Sequence, residues 1–153
     1  MPADLLEALA TAQRATLYVL DAVPEAALGD RVAPRQRTVG VLFAHIANNK
    51  RLWIAEAEPD LLEGIAKLTP EHALDHARLR SGLEAANAAA ETFVARASER
   101  GRLRGFTRSP ATFAGYLIAH EGYHLGEIGL ALTVGGHPLP QAISYGMWEW
   151  GVR

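Results

Sequence analysis

The chain contains no cysteine. That excludes disulfides, cysteine-zinc sites and a cysteine nucleophile, so a metal would have to be held by His, Asp, Glu or backbone oxygen. Charge of either sign is not in excess. A formal net charge of −2 gives no electrostatic footprint for nucleic acid. Long hydrophobic runs are missing too. The most apolar stretch, around Ala111 to Val134, is interrupted by His120, Glu121, His124 and Glu127, so no segment is expected to span a bilayer. The start, Met1-Pro2-Ala3-Asp4, lacks the basic and apolar regions of a signal peptide, and a cytoplasmic protein is expected. No segment alternates with strand period, and no repeat or low-complexity tract divides the chain.

The 153 residues, 49% of them hydrophobic, suit a single packed domain over 1–153. Four segments carry helical periodicity. The first runs from about Ala3 to Ala22, with Leu5, Leu9, Ala12, Thr16 and Val19 on one stripe, and Pro24 ends it. After a linker from Pro24 to Arg37, Thr38 can cap a second helix that continues to about Glu56. Thr69-Pro70 predicts a third helix from Pro70 to Arg100, with Gly101 as its stop. Ser109-Pro110 repeats that grammar for a fourth, over Pro110–Gly135. The tail from Leu139 to Arg153 is short and aromatic. Four long helices without strands predict an all-α four-helix bundle.

Within the fourth helix stands His120-Glu121-Gly122-Tyr123-His124. A spacing of i, i+4 stacks both imidazoles on one face, where they can grip one divalent cation. The letters match the H-E-x-x-H of zinc proteases. The extended protease form would need glycine at Glu127 and histidine at Leu130, and both positions fail. His45 is the better third ligand. It shares the stripe of Val41, Leu42, Asn49 and Leu52, and two facing helices of a bundle can present such side chains to one interior point. The expected metal ligands are therefore His45, His120 and His124.

Around them, Glu127 shares the histidine face and is the candidate catalytic group. It could be a fourth ligand, a hydrogen-bond partner of an imidazole or a general base. Asn48 and Asn49, one turn from His45, are candidates to orient a ligand or substrate. Glu121 lies about 100° round the helix from His120 and is expected as a solvated or interhelix carboxylate. His72 and His76 are expected at the rim and His137 in a loop. Tyr123 is expected to pack, and Trp53, Trp148 and Trp150 to anchor a core or an interface.

The chain resembles the DinB-like metalloprotein family. The matching features are Thr38-Val39-Gly40 leading to Phe43-Ala44-His45-Ile46, the run from His120 through Ile128, and the tail from Gly136-His137-Pro138 through Tyr145-Gly146-Met147-Trp148-Glu149-Trp150-Gly151. The resemblance implies an up-down-down-up four-helix bundle, often dimeric, with a three-histidine site for zinc, nickel or a similar ion. Its histidines fall on His45, His120 and His124. Relatives often carry glutamine where this chain has Glu127, and a basic residue or second histidine near the pair where it has Tyr123 and Leu125.

The better-understood relatives are thiol-dependent transferases and isomerases, in which the ion activates a low-molecular-weight thiol. A divalent ion stabilises a thiolate nucleophile. Water at the same position would instead give a hydrolase, and the ligands alone do not separate the two. The expected function is a divalent-metal-dependent enzyme of thiol S-transferase or hydrolase type, acting on a small molecule as a homodimer. The alternative is a non-enzymatic, stress-related metal- or ligand-binding protein. No nucleic-acid or membrane partner is expected.

Overall fold

The computed structural model describes residues 2–153; Met1, the first residue of the expected single domain, lies outside them. Four long helices carry the fold: α1 (Pro2–Ala22), α2 (Val39–Ala57), α3 (His76–Arg100) and α4 (Pro110–Gly135). A short fifth, α5 (Gln141–Gly146), turns the tail back onto α1. No strand occurs among the described residues, only an isolated antiparallel bridge between Leu103 and Phe106. None of the helices is long and apolar enough to cross a membrane.

The helix ends follow from local chemistry. Thr38 accepts a hydrogen bond from the Val41 amide at 3.3 Å, and Ser109 one from the Thr112 amide at 3.2 Å. Gly101 and Gly136 close α3 and α4 in the left-handed conformation, at φ of 71° and 85°.

The start of α3 differs from the reading at Pro70. Residues His72–Leu74 form a single 3-10 turn, and α3 begins at His76, capped by Asp75 on the Arg78 amide at 2.9 Å. The cause lies across the bundle, where that turn packs on α2 at Gly40. A Cβ on Gly40 would stand 1.7 Å from the Ala73 carbonyl oxygen. Gly40→Ala is therefore expected to destabilise the fold by about 1–3 kcal/mol, the usual range for overpacking, in urea unfolding. Helix propensity alone predicts the opposite sign, a gain of about 1 kcal/mol. A more stable Gly40→Ala protein would show that the turn can back away.

The helix directions can be read from their contacts. The segment after α2 runs back along it: Arg51 Nε donates to the Ile65 carbonyl, Asn48 braces Leu68, and Ala73 meets Gly40 near the start of α2. α3 therefore begins beside the start of α2 and runs parallel to it. At the far end Arg96 and Arg100 pair with Glu58, just past α2. Near its start, Arg80 of α3 meets Asp21 at the end of α1, so those two are antiparallel. Trp53, late in α2, packs on Phe113 and Tyr116, early in α4. Together these give the up-down-down-up order, with α3 and α4 separating α1 from α2.

The interior has two apolar clusters. One gathers Val19, Leu20, Phe43, Ile46, Leu83 and Ile128; the other gathers Leu9, Ile54, Phe93, Phe113 and Leu117. Between them lies a polar layer with a member from each long helix: Thr16, Lys50, Asn87 and Glu121, none more than 5% exposed. Lys50 Nζ meets Glu121 Oε1 at 2.7 Å, an ion pair without the alignment of a hydrogen bond. The ammonium also donates to Asn87 Oδ1 at 2.5 Å, and Thr16 donates to Glu121 Oε2 at 2.6 Å. Every charge in the layer thus has a partner, as burial requires.

Candidate metal centre

α2 and α4 run antiparallel past each other and bring three imidazoles to one point. His120 Nε2 lies 3.2 Å from His45 Nε2 and 3.2 Å from His124 Nε2. The ligand atoms of all three fall within 4.8 Å of one another. Two nitrogens each bound at 2.0–2.1 Å to a tetrahedral ion stand about 3.3 Å apart. The separation therefore suits a shared divalent cation. It needs little side-chain movement to accept one.

Protonation favours the same role. Burial, then the charges of His124 and His45 beside it, pushes the His120 imidazole down to about 4. His45 is also lowered, by burial first and then by Arg37 and His124, with Glu127 acting weakly the other way. Both imidazoles therefore favour the neutral form, the state a metal ligand requires.

Glu127 Oε2 stands 2.5 Å from His124 Nδ1. That contact sets the tautomer. Nδ1 carries the proton and donates it to the carboxylate, leaving the Nε2 lone pair turned to the other histidines. Of the three roles open to Glu127 in the sequence, the structure displays the hydrogen-bond partner of an imidazole.

The two asparagines differ. Asn48 has its amide engaged with the Leu68 backbone in both directions, donating to the carbonyl at 2.9 Å and accepting from the amide at 3.0 Å. It braces the returning segment. Asn49 Oδ1 accepts from the Tyr116 hydroxyl at 3.1 Å, and that hydroxyl accepts from Trp53 Nε1 at 3.3 Å. Tyr116 also stacks toward His120, with ring centres 5.9 Å apart. Sequence reasoning missed it, although its position four residues before His120 puts it on the same face.

A cavity of about 540 Å³ opens beside the centre, with His45, Asn48 and Asn49 in its wall. Glu127 lies off it, in an adjoining recess of about 230 Å³, and Arg37 borders both. The candidate catalytic Glu127 and the two candidate asparagines thus border different openings.

The remaining candidates lie apart from the centre. Glu121 turns inward to Lys50, so the glutamate of H-E-x-x-H is an interhelix ion pair. His76 Nε2 bonds the Leu20 carbonyl at 2.8 Å, His72 accepts from the Thr69 amide, and His137 pairs with Asp30 at 2.7 Å in the loop after α4. Tyr123 is 68% exposed rather than packed inside, touching His124 edge-on. Trp53 joins the aromatic cluster with Phe106 and Phe113, whereas Trp148 is 69% exposed.

An all-α bundle whose facing helices converge three imidazoles beside a cavity defines a metal-site class of helical protein. The chain belongs to the DinB superfamily, whose family model matches residues 8–128. That match includes His45, His120, His124 and Glu127 and stops before α5. No curated protein and no solved structure matches the chain.

Proposed function

We propose that this protein is a divalent-metal-dependent enzyme acting on a small molecule, of thiol S-transferase or hydrolase type. The observation that supports it is the three-nitrogen cluster at 3.2 Å spacings with His45 in the wall of a 540 Å³ cavity. A structural ion would need no such opening, which favours the enzyme over a stress-related binding protein. Zinc or nickel is the proposed ion, since imidazole donors suit both. When bound, the ion supplies Lewis-acid activation of a thiol or of water.

The chain's own groups do the rest. His45, His120 and His124 offer the lone pairs. Glu127 holds His124 in the required tautomer. Tyr116 fixes the Asn49 amide at the cavity wall. The small-molecule substrate and a low-molecular-weight thiol partner belong to the cavity in this reading. The homodimer remains part of it, supported by the exposed Tyr145, Trp148 and Trp150 beside a groove lined by Gly122 and Gly126.

Glu127→Gln separates positioning from proton transfer. As a positioning residue, its loss should weaken metal affinity roughly tenfold, the low end for losing a partner of a metal-ligating histidine. Competition against a chromophoric chelator measures this. Unchanged affinity with turnover lost would make Glu127 a general base instead.

A further inference from the structure

The cavity beside His45 has a one-signed wall. Arg37, Arg51 and Lys67 line it, and no aspartate or glutamate does. The chain as a whole has 17 acidic and 15 basic residues, so the single sign is local to this wall. The three cations come from separate places: the loop before α2, α2 itself, and the segment returning along it.

Some arginines elsewhere have carboxylate partners. Arg80 meets Asp21, Arg96 meets Glu58 and Asp60, and Arg153 meets Glu149. The cavity cations have none among the described residues. Arg51 is held by its Nε on the Ile65 carbonyl, which fixes the guanidinium without neutralising it. Arg37 and Lys67 are exposed and make no ion pair or hydrogen bond to a described residue. Arg37 stands nearest the chemistry, bordering both the His45 cavity and the Glu127 recess.

The rest of the wall is apolar, with Val41, Ala44, Leu52, Leu68 and Pro70. The volume suits a small organic ligand. Guanidinium and ammonium groups left without protein anions recognise carboxylate or phosphate oxygens, arginine through paired N–H bonds.

We propose that the cavity binds an anionic small molecule, with carboxylate or phosphate groups on Arg37, Arg51 and Lys67, an apolar body along Val41 and Leu52, and its reacting end at His45. This deepens the proposed function and rests on it: the histidine centre supplies the reactive position, and the cations decide which molecules reach it. The field of the wall also raises the local concentration of anions over neutral analogues.

The test uses cobalt(II)-loaded protein and two probes with a thiol in common, mercaptosuccinate and uncharged 1-thioglycerol. Visible cobalt absorption follows both titrations. Mercaptosuccinate is expected to bind about tenfold tighter or more, a difference equivalent to about 1.4 kcal/mol, and the margin should shrink at about 1 M salt. Arg37→Gln/Lys67→Gln, at two exposed positions, should remove most of that margin while leaving cobalt stoichiometry and thioglycerol affinity as they are. Competition by succinate or by inorganic phosphate then tells which anion the wall prefers.

Equal affinity for the two thiols, or a preference that survives in the double variant, overturns the proposal. Failure of cobalt to bind counts against the metal centre instead. In that case succinate and phosphate titrated into metal-free protein, read at the arginine Nε resonances, decide the anion site alone: a shift at Arg37 or Arg51 supports it and silence at both overturns it.

Discussion

Lys50→Met is expected to destabilise the fold by about 3–5 kcal/mol, the range for removing a single partner of a buried ion pair. Glu121, 2% exposed, would be left between two apolar clusters with Thr16 as its remaining partner. Its charge is then uncompensated, and a buried carboxylate in that position either stays ionised at great expense or takes up a proton. Glu121→Leu should be harmful for the mirror-image reason, stranding the ammonium on Asn87. The double variant Lys50→Met/Glu121→Leu should regain most of the loss, because apolar replacement of both partners is often neutral or stabilising.

Urea unfolding of the three variants checks this. Non-additivity is the diagnostic, since the residues are in contact. Single variants within about 1 kcal/mol of wild type would mean that water reaches the layer and screens the pair. The same experiment bears on function. A zinc protease needs the glutamate of H-E-x-x-H at its reacting centre. Here Glu121→Gln should change stability and leave metal binding in place.

His120→Ala carries the second large effect. His120 Nε2 is the atom in contact with both other imidazole nitrogens. Removing it leaves only His45 and His124, a two-nitrogen set with one ligand from each helix. Loss of an orienting partner already lowers metal affinity about 10–100-fold; loss of a direct ligand from a three-nitrogen set should exceed that. Chelator competition should find binding too weak to retain the ion through purification. The fold should survive, because His120 is only partly buried and the apolar clusters do not include it.

The four long helices were legible because their signals are local. Thr38, Ser109, Pro110, Gly101 and Gly136 each do near their own backbone what the sequence suggests. The histidine centre was legible because i, i+4 spacing on α4 fixes a face, and the stripe of α2 fixes the other. What was hidden depends on contacts between distant segments. Thr69-Pro70 has the grammar of a helix start, yet the fit of Ala73 against Gly40 moves that start to His76. Lys50 and Glu121 become partners only when four helices enclose them. α5 is a helix of only six residues, below the length at which periodicity speaks. Asn48 differs from Asn49 only through the path of the segment carrying Leu68. The basic wall likewise needs Lys67 brought back over α2 to join Arg37 and Arg51.

Elemental analysis of protein purified without a histidine tag, beside His120→Ala prepared identically, tests the three-histidine centre most directly. A single divalent ion per chain in the wild type, falling to background in His120→Ala, is the expected result. Wild-type protein that retains no zinc, nickel or related ion after exposure to each, or a variant that retains as much as wild type, would contradict it.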